Sequence, residues 1–189
     1  MAAYLIAGVD EVGRGCLAGP VVAVALILPP DFTHPLLRDS KSLRPAQRTH
    51  LAALLWEAAL GIGIGMRGPR YIDTHNILQA TLAAMQEAIE NLPLAPNLVR
   101  VDGPHLPVCS YPIQACIRGD AQYPEIAAAS IVAKVLRDQL MIRLAAQYPP
   151  YQWHKNKGYP TQAHWVAIQK YGPSPLHRYT FLRKGPLLL

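Results

Sequence analysis

The chain has 189 residues, with 18 Lys and Arg against 12 Asp and Glu for a formal charge of +6, and a pI near 9.4. At 51% hydrophobic and 16% charged residues the composition is that of a globular chain and excludes disorder, and the longest apolar run, Val21 to Leu28, is too short to span a membrane as a helix. Cys16, Cys109 and Cys116 are odd in number and show no CxxC or zinc-type spacing, so no disulfide framework is implied and a reducing, cytoplasmic setting is expected.

A single domain over residues 1–189 is expected at this length. Tyr4 to Val9 predicts a first strand, and Pro20 to Leu28, β-branched and stopped by Pro29-Pro30, a second. Pro45, at a first helical position, and Leu51, Leu54, Leu55 and Ala58 predict a helix that ends by Gly61. In Leu60 to Arg67 glycine alternates with Ile or Met, which predicts a third strand closing an antiparallel meander with one small-residue face. Leu78, Leu82, Met85, Ile89 and Leu92 keep a helical period until Pro93. Leu98 to Val101 and Ile113 to Ile117 predict two more strands, running into Asp102-Gly103 and Arg118-Gly119-Asp120. The Ala-rich stretch from Pro124 predicts the longest helix, and Thr161 to Lys170 a last short one. The order β, β, α, β, α, β, β, α, α predicts an α/β domain with a mixed sheet.

The few acids follow strands: Asp10-Glu11 the first, Asp102 the fourth, Asp120 the fifth. Strand ends are where α/β sheets build sites, and carboxylates converging there need a hard cation such as Mg²⁺ or Mn²⁺ to offset their repulsion. In a basic chain that points to two-metal phosphoryl chemistry. Ordinary Asp-Gly and Gly-Asp turns are the plainer alternative. Neighbouring strand residues face opposite ways, so a shared site for Asp10 and Glu11 predicts a backbone bend, which Gly8, Gly13 and Gly15 would permit. A strand rather than a helix follows Gly13, Gly15 and Gly19, which argues against a dinucleotide fingerprint. The charge of +6 fits a polyanionic partner, or solubility alone.

Seven blocks, in order, are GVDEVGRGCLAGPVVAVALIL, DSKSL, IDTHNILQATLAAM, VDG, GD with IAAASIVAKVLRD, YPPYQWHKNKGYPT and HR-x-TF. Together they closely resemble bacterial ribonuclease HII from Ala7 to Phe181. The resemblance implies a ribonuclease H-like fold, a five-stranded mixed sheet flanked by helices with a helical C-terminal part over about 145–189. It implies hydrolysis, with Mg²⁺ or Mn²⁺ and two ions in the active complex, of the RNA strand of RNA/DNA hybrids and 5′ to ribonucleotides embedded in duplex DNA, leaving 3′-OH and 5′-phosphate ends. Its four catalytic, metal-holding acids fall on Asp10, Glu11, Asp102 and Asp120. Its substrate contacts fall on Gly13, Arg14, Gly15 and Tyr159, with Lys41, Ser130, Lys134 and Lys157 facing phosphates.

Two rivals remain: a catalytically silent hybrid-binding module, and a DNA-directed nuclease of the same superfold. Asp73 is expected to be a helix-start acid and Asp138 a partner for Lys134, with a place near the metal as the lesser alternative. His154, His164 and His177 are expected to cap helices or pack the tail, assistance in proton transfer being the alternative. Cys16 stands where the resembled family usually has proline, which is expected to loosen the loop or make it oxidisable. Arg44 replaces a usual Ser or Thr cap, leaving Gln47 without a hydroxyl partner and the helix prone to fray. With nine residues before Asp10, the extra domain of ribonuclease HIII is not expected, and the tail ending GPLLL shows no clamp-binding motif. A monomer with no obligatory protein partner is expected.

Overall fold

A computed structural model describes residues 4–37 and 43–183. Five strands form one sheet in the order β3-β2-β1-β4-β5: β1 Ile6–Val12, β2 Val21–Ile27, β3 Gly61–Arg67, β4 Leu98–Asp102 and β5 Ile113–Cys116. β1, β2 and β3 pair antiparallel, while β4 lies parallel to β1 and β5 parallel to β4. The mixed sheet and the meander are as expected, and β1 starts later and runs further than its apolar residues indicate.

Helix α2 (Pro69–Glu90) covers one face, where Ala7, Val9, Ala23 and Ala25 meet Ala84, Met85 and Ala88. Helices α1 (Pro45–Ala58) and α3 (Pro124–Ala145) cover the other, where Val24 and Leu26 meet Leu51, Leu55, Ala128 and Val132. The buried stripe of α2 runs through Ala80, Thr81, Ala84 and Ala88, with Leu78 and Leu82 only half-buried. The cause lies in β3: a Cβ on Gly63 would stand 2.0 Å from the Ala88 carbonyl oxygen, and one on Gly65 the same distance from that of Ala84. A glycine face admits the helix backbone itself, so small residues line the contact.

α2 breaks at Asn76, in a left-handed φ of 68°, and the Asn76 side chain accepts the Gln79 N–H at 3.1 Å, restarting the helix. Asp73, before the break, is not a helix-start acid. It receives the N–H groups of Tyr179 and Thr180, both at 2.9 Å, and so anchors helix α6 (Tyr179–Leu182). At α1, Gln47 accepts the Arg44 N–H at 3.1 Å. One arm of the cap forms despite Arg44, whose side chain has no acceptor.

After α3 the chain folds into α4 (Trp153–Asn156), α5 (Gln162–Tyr171) and α6 around a third cluster of Leu17, Met141, Trp153 and Ile168. No helix of the described residues is long and apolar enough to cross a membrane.

Candidate active site

β1 runs unbent through its acids, with Asp10 opposite Val24 and Glu11 opposite Ala23. The expected bend is absent, and the two carboxyls leave opposite faces. Both stand at one open edge because β4 stops at Asp102 while β1 continues. Parallel register, with Val9 beside Val101, brings Asp102 next to Asp10 on the α3 face. Beyond that point the edge of β1 is open, and Glu11, from the α2 face, lines a cleft of about 80 Å³ with Asp102 and Arg14.

Asp10 is buried, accepts the Glu11 N–H at 2.7 Å and is hydrogen-bonded by the Ser130 side chain. Burial, and then the charges of Glu11 and Asp102, hold its carboxyl well above the ordinary range, against those two hydrogen bonds. Asp102 Oδ1 accepts the Gly119 N–H at 2.7 Å, tying down the turn Gly119–Ala121 that carries buried Asp120. Arg118 enters that turn with φ 55°, and Asp120 lines a wider cleft of about 640 Å³ with Phe32 and His34. The structure thus gathers Asp10, Glu11 and Asp102 at one sheet edge and sets Asp120 on the adjoining turn.

Among the described residues, no group of three His, Cys, Asp or Glu residues is close enough to hold a metal ion. The donor chemistry nevertheless fits a hard divalent cation. The gathered groups are carboxylates, and Asp10 is held in like-charge surroundings that a cation relieves.

Beside the acids, Gly13 takes φ 94°, and a Cβ there would stand 2.2 Å from Arg137 Nε. Glycine at position 13 is therefore specified by conformation and by space, while a Cβ on Gly15 would meet nothing. Arg14 pairs with Glu11 at 3.0 Å. Cys16 is fully buried and hydrogen-bonds the Tyr159 side chain, while burial pushes its thiol up. Such a thiol does not stand open to oxidants.

Tyr159 lines a groove of about 460 Å³ with Lys134, Lys157, Arg48 and Lys155. Lys134 lies 5.3 Å above its ring and bonds Asp138 at 2.9 Å, the partner expected for Asp138. Lys157 turns back on its own loop, donating to the His154 carbonyl. Lys41 lies outside the described residues. Sequence reasoning missed Arg48 and Lys155, isolated cations whose shared groove appears only in three dimensions.

His164 and His177 are fully buried and pack the tail, whereas His154 is exposed. Trp153 donates to His164 Nε2 at 3.0 Å, so His164 Nδ1 is left to donate to the Tyr159 carbonyl at 2.9 Å. His177 Nδ1 accepts the Ser174 N–H at 2.9 Å, and its Nε2 faces His164 Nε2 at 3.1 Å. Burial, then the neighbouring His164, pushes His177 down to about 4, so both rings are neutral supports for the Tyr159 loop.

A family model described as Ribonuclease HII matches residues 7–184. A ribonuclease HII of Porphyromonas gingivalis is 51% identical over 175 residues, covering 92% of this chain and 87% of that protein. One of Dichelobacter nodosus is 47% identical over 97% of both chains. Among solved structures, ribonuclease H2 from Pyrococcus horikoshii OT3 superposes with a TM-score of 0.81 at 27% identity, over 95% of this chain and 96% of that one.

Proposed function

The chain belongs to the ribonuclease HII family, and from that premise we propose that Asp10, Glu11, Asp102 and Asp120 are the catalytic carboxylates of a nuclease that cuts 5′ to a ribonucleotide. The protein is a metal-dependent endoribonuclease. Its substrates, on this reading, are the RNA strand of RNA/DNA hybrids and DNA duplexes with embedded ribonucleotides, and one copy of the chain completes the site. The observation that carries the assignment is the open end of β1, where three carboxyls from two strands crowd beside a glycine turn.

The four acids would hold two Mg²⁺ or Mn²⁺ ions, which when bound lower the pKa of a water and stabilise the departing 3′ oxygen. Ser130 and the Gly119 N–H hold Asp10 and Asp102 in place, so little side-chain freedom is lost on loading. The Arg14 guanidinium takes one oxygen of Glu11, which would leave the other for an ion and hold Arg14 beside the substrate. Gly13, Arg14 and Gly15 bring bare backbone to the ribose 2′-OH, the local feature that separates RNA from DNA, while Tyr159 offers a ring for the next sugar. Lys134 and Lys157, with Arg48 and Lys155, line the groove for phosphates, which fix register but carry no ribose selectivity.

The test is cleavage of a DNA duplex containing one ribonucleotide, with Mg²⁺ or with chelator, by wild type, Asp10→Asn and Asp102→Asn. The expected result is a metal-dependent cut on the 5′ side, with 3′-OH and 5′-phosphate ends, that both substitutions abolish. Cyclic phosphate ends, or cutting that survives both substitutions, would overturn the assignment.

A further inference from the structure

Arg137 on α3 is fully buried, yet its guanidinium meets backbone carbonyls rather than a carboxylate. Nε donates to Pro20 at 2.9 Å and Nη2 to Ala18 at 3.0 Å, both in the segment that leaves the glycine turn. Nη1 donates to Lys157 at 2.9 Å, two residues before Tyr159. The same guanidinium lies 5.8 Å from the Tyr159 ring centroid, and its Nε occupies the space a Gly13 side chain would need.

The two segments also touch directly. Leu17 N–H donates to the Gly158 carbonyl at 2.8 Å, and a Cβ on Gly158, where φ is 84°, would stand 2.6 Å from the Ala18 carbonyl oxygen. A planar fork with three donors satisfied in fixed directions sets a distance as well as a charge, which a lysine cannot do. We propose that Arg137 is a positioning residue that fixes the spacing between the Gly13-Arg14-Gly15 turn and Tyr159, and through it the selectivity for a ribose 2′-OH.

This inference rests on the reading of that turn and Tyr159 as sugar contacts. Arg178, also fully buried, donates to Arg14 at 2.8 Å and to Gly19 at 3.0 and 2.9 Å. Those bonds restrain the turn and none of them reaches the Tyr159 loop, so of the two arginines only Arg137 joins both segments by hydrogen bonds.

The experiment compares kcat/KM on duplexes carrying one ribonucleotide or one 2′-fluoro nucleotide at the same position, for wild type, Arg137→Lys, Tyr159→Ala and the double variant. Arg137→Lys is expected to lower the preference for ribose about fivefold, and the double variant to lose no more than the larger single loss, because both act on one contact. Leu55→Ala, in the core where α1 packs on the sheet and α3, serves as a control that lowers the melting temperature and leaves the preference unmoved. If Arg137→Lys does not fold, Gly158→Ala, which forces the two segments apart from the opposite side, is expected to lower the preference in the same way. An unchanged preference in the folded Arg137 or Gly158 variant, or losses that multiply in the double variant, would overturn the inference. A wild type without ribose preference, or a Tyr159→Ala protein that keeps it, would instead overturn the reading of the sugar contacts.

Discussion

Asp10 sits in surroundings that oppose its own charge, between Glu11 and Asp102 and out of water. Replacing it with Asn removes the repulsion and keeps the side chain's shape. Asp10→Asn is therefore expected to lower turnover by at least about a thousandfold, while calorimetry in chelator finds a melting temperature about 2–4 °C above that of wild type. A lower melting temperature would show that the carboxylate supports the fold rather than burdening it. The acids stand out in the sequence because they close apolar runs, although Asp10 and Glu11 lie inside β1 rather than after it, and the way these two reach one edge was not legible. Their meeting depends on β4 ending where β1 continues, a matter of register between distant segments. Arg137 and Arg178 escaped notice for a related reason: an arginine in a helix or near a terminus reads as surface until its burial is seen.

At the scale of elements, the contact between β3 and α2 leaves no room for a side chain. Gly63→Ala would drive its Cβ toward the Ala88 carbonyl and is expected to cost about 2–3 kcal/mol, read from the shift of a urea midpoint at constant slope. The alternation of glycine in β3 announced a small-residue face, and periodicity found the α2 helix. It put the stripe on Leu78, Leu82, Met85, Ile89 and Leu92, of which Met85 and Ile89 are buried, and passed over Ala84 and Ala88 because alanines carry little weight in such patterns. The tail beyond α3 was least legible, since its short helices are held by Trp153, His164, His177 and Asp73 across long sequence separations.

That tail also gives the fold an acid limit. His177 is held near 4 in the fold against 6.5 for the free side chain, so the unfolded chain takes up its proton first as pH falls. Its contribution is complete above pH 6.5 and is lost progressively towards pH 4, amounting to about 3 kcal/mol. Urea midpoints across that window are expected to fall with pH, and more shallowly for His177→Gln after allowance for that variant's own loss of packing. Equal pH slopes for wild type and His177→Gln would contradict the buried neutral ring, a comparison in which the opposite contribution of Asp10, whose carboxyl is held above the ordinary range, cancels.

For the whole molecule, the surplus of six positive charges takes on meaning through placement: cations line the Tyr159 groove while carboxylates occupy the neighbouring sheet edge. Binding to a duplex in chelator is expected to weaken linearly with the logarithm of salt concentration, and Lys134→Ala to reduce that slope by about one. An unchanged slope would remove Lys134 from the phosphate contacts. Net charge alone left solubility and a polyanion equally open, and only the fold separates the two surfaces. The account stands most directly on whether the acid edge binds metal. Counting bound Mn²⁺ by paramagnetic resonance, on protein complexed with an uncleavable duplex containing one ribonucleotide, is expected to find two ions per chain and at least one fewer for Asp102→Asn. Two ions retained by Asp102→Asn, or none on wild type, would contradict it.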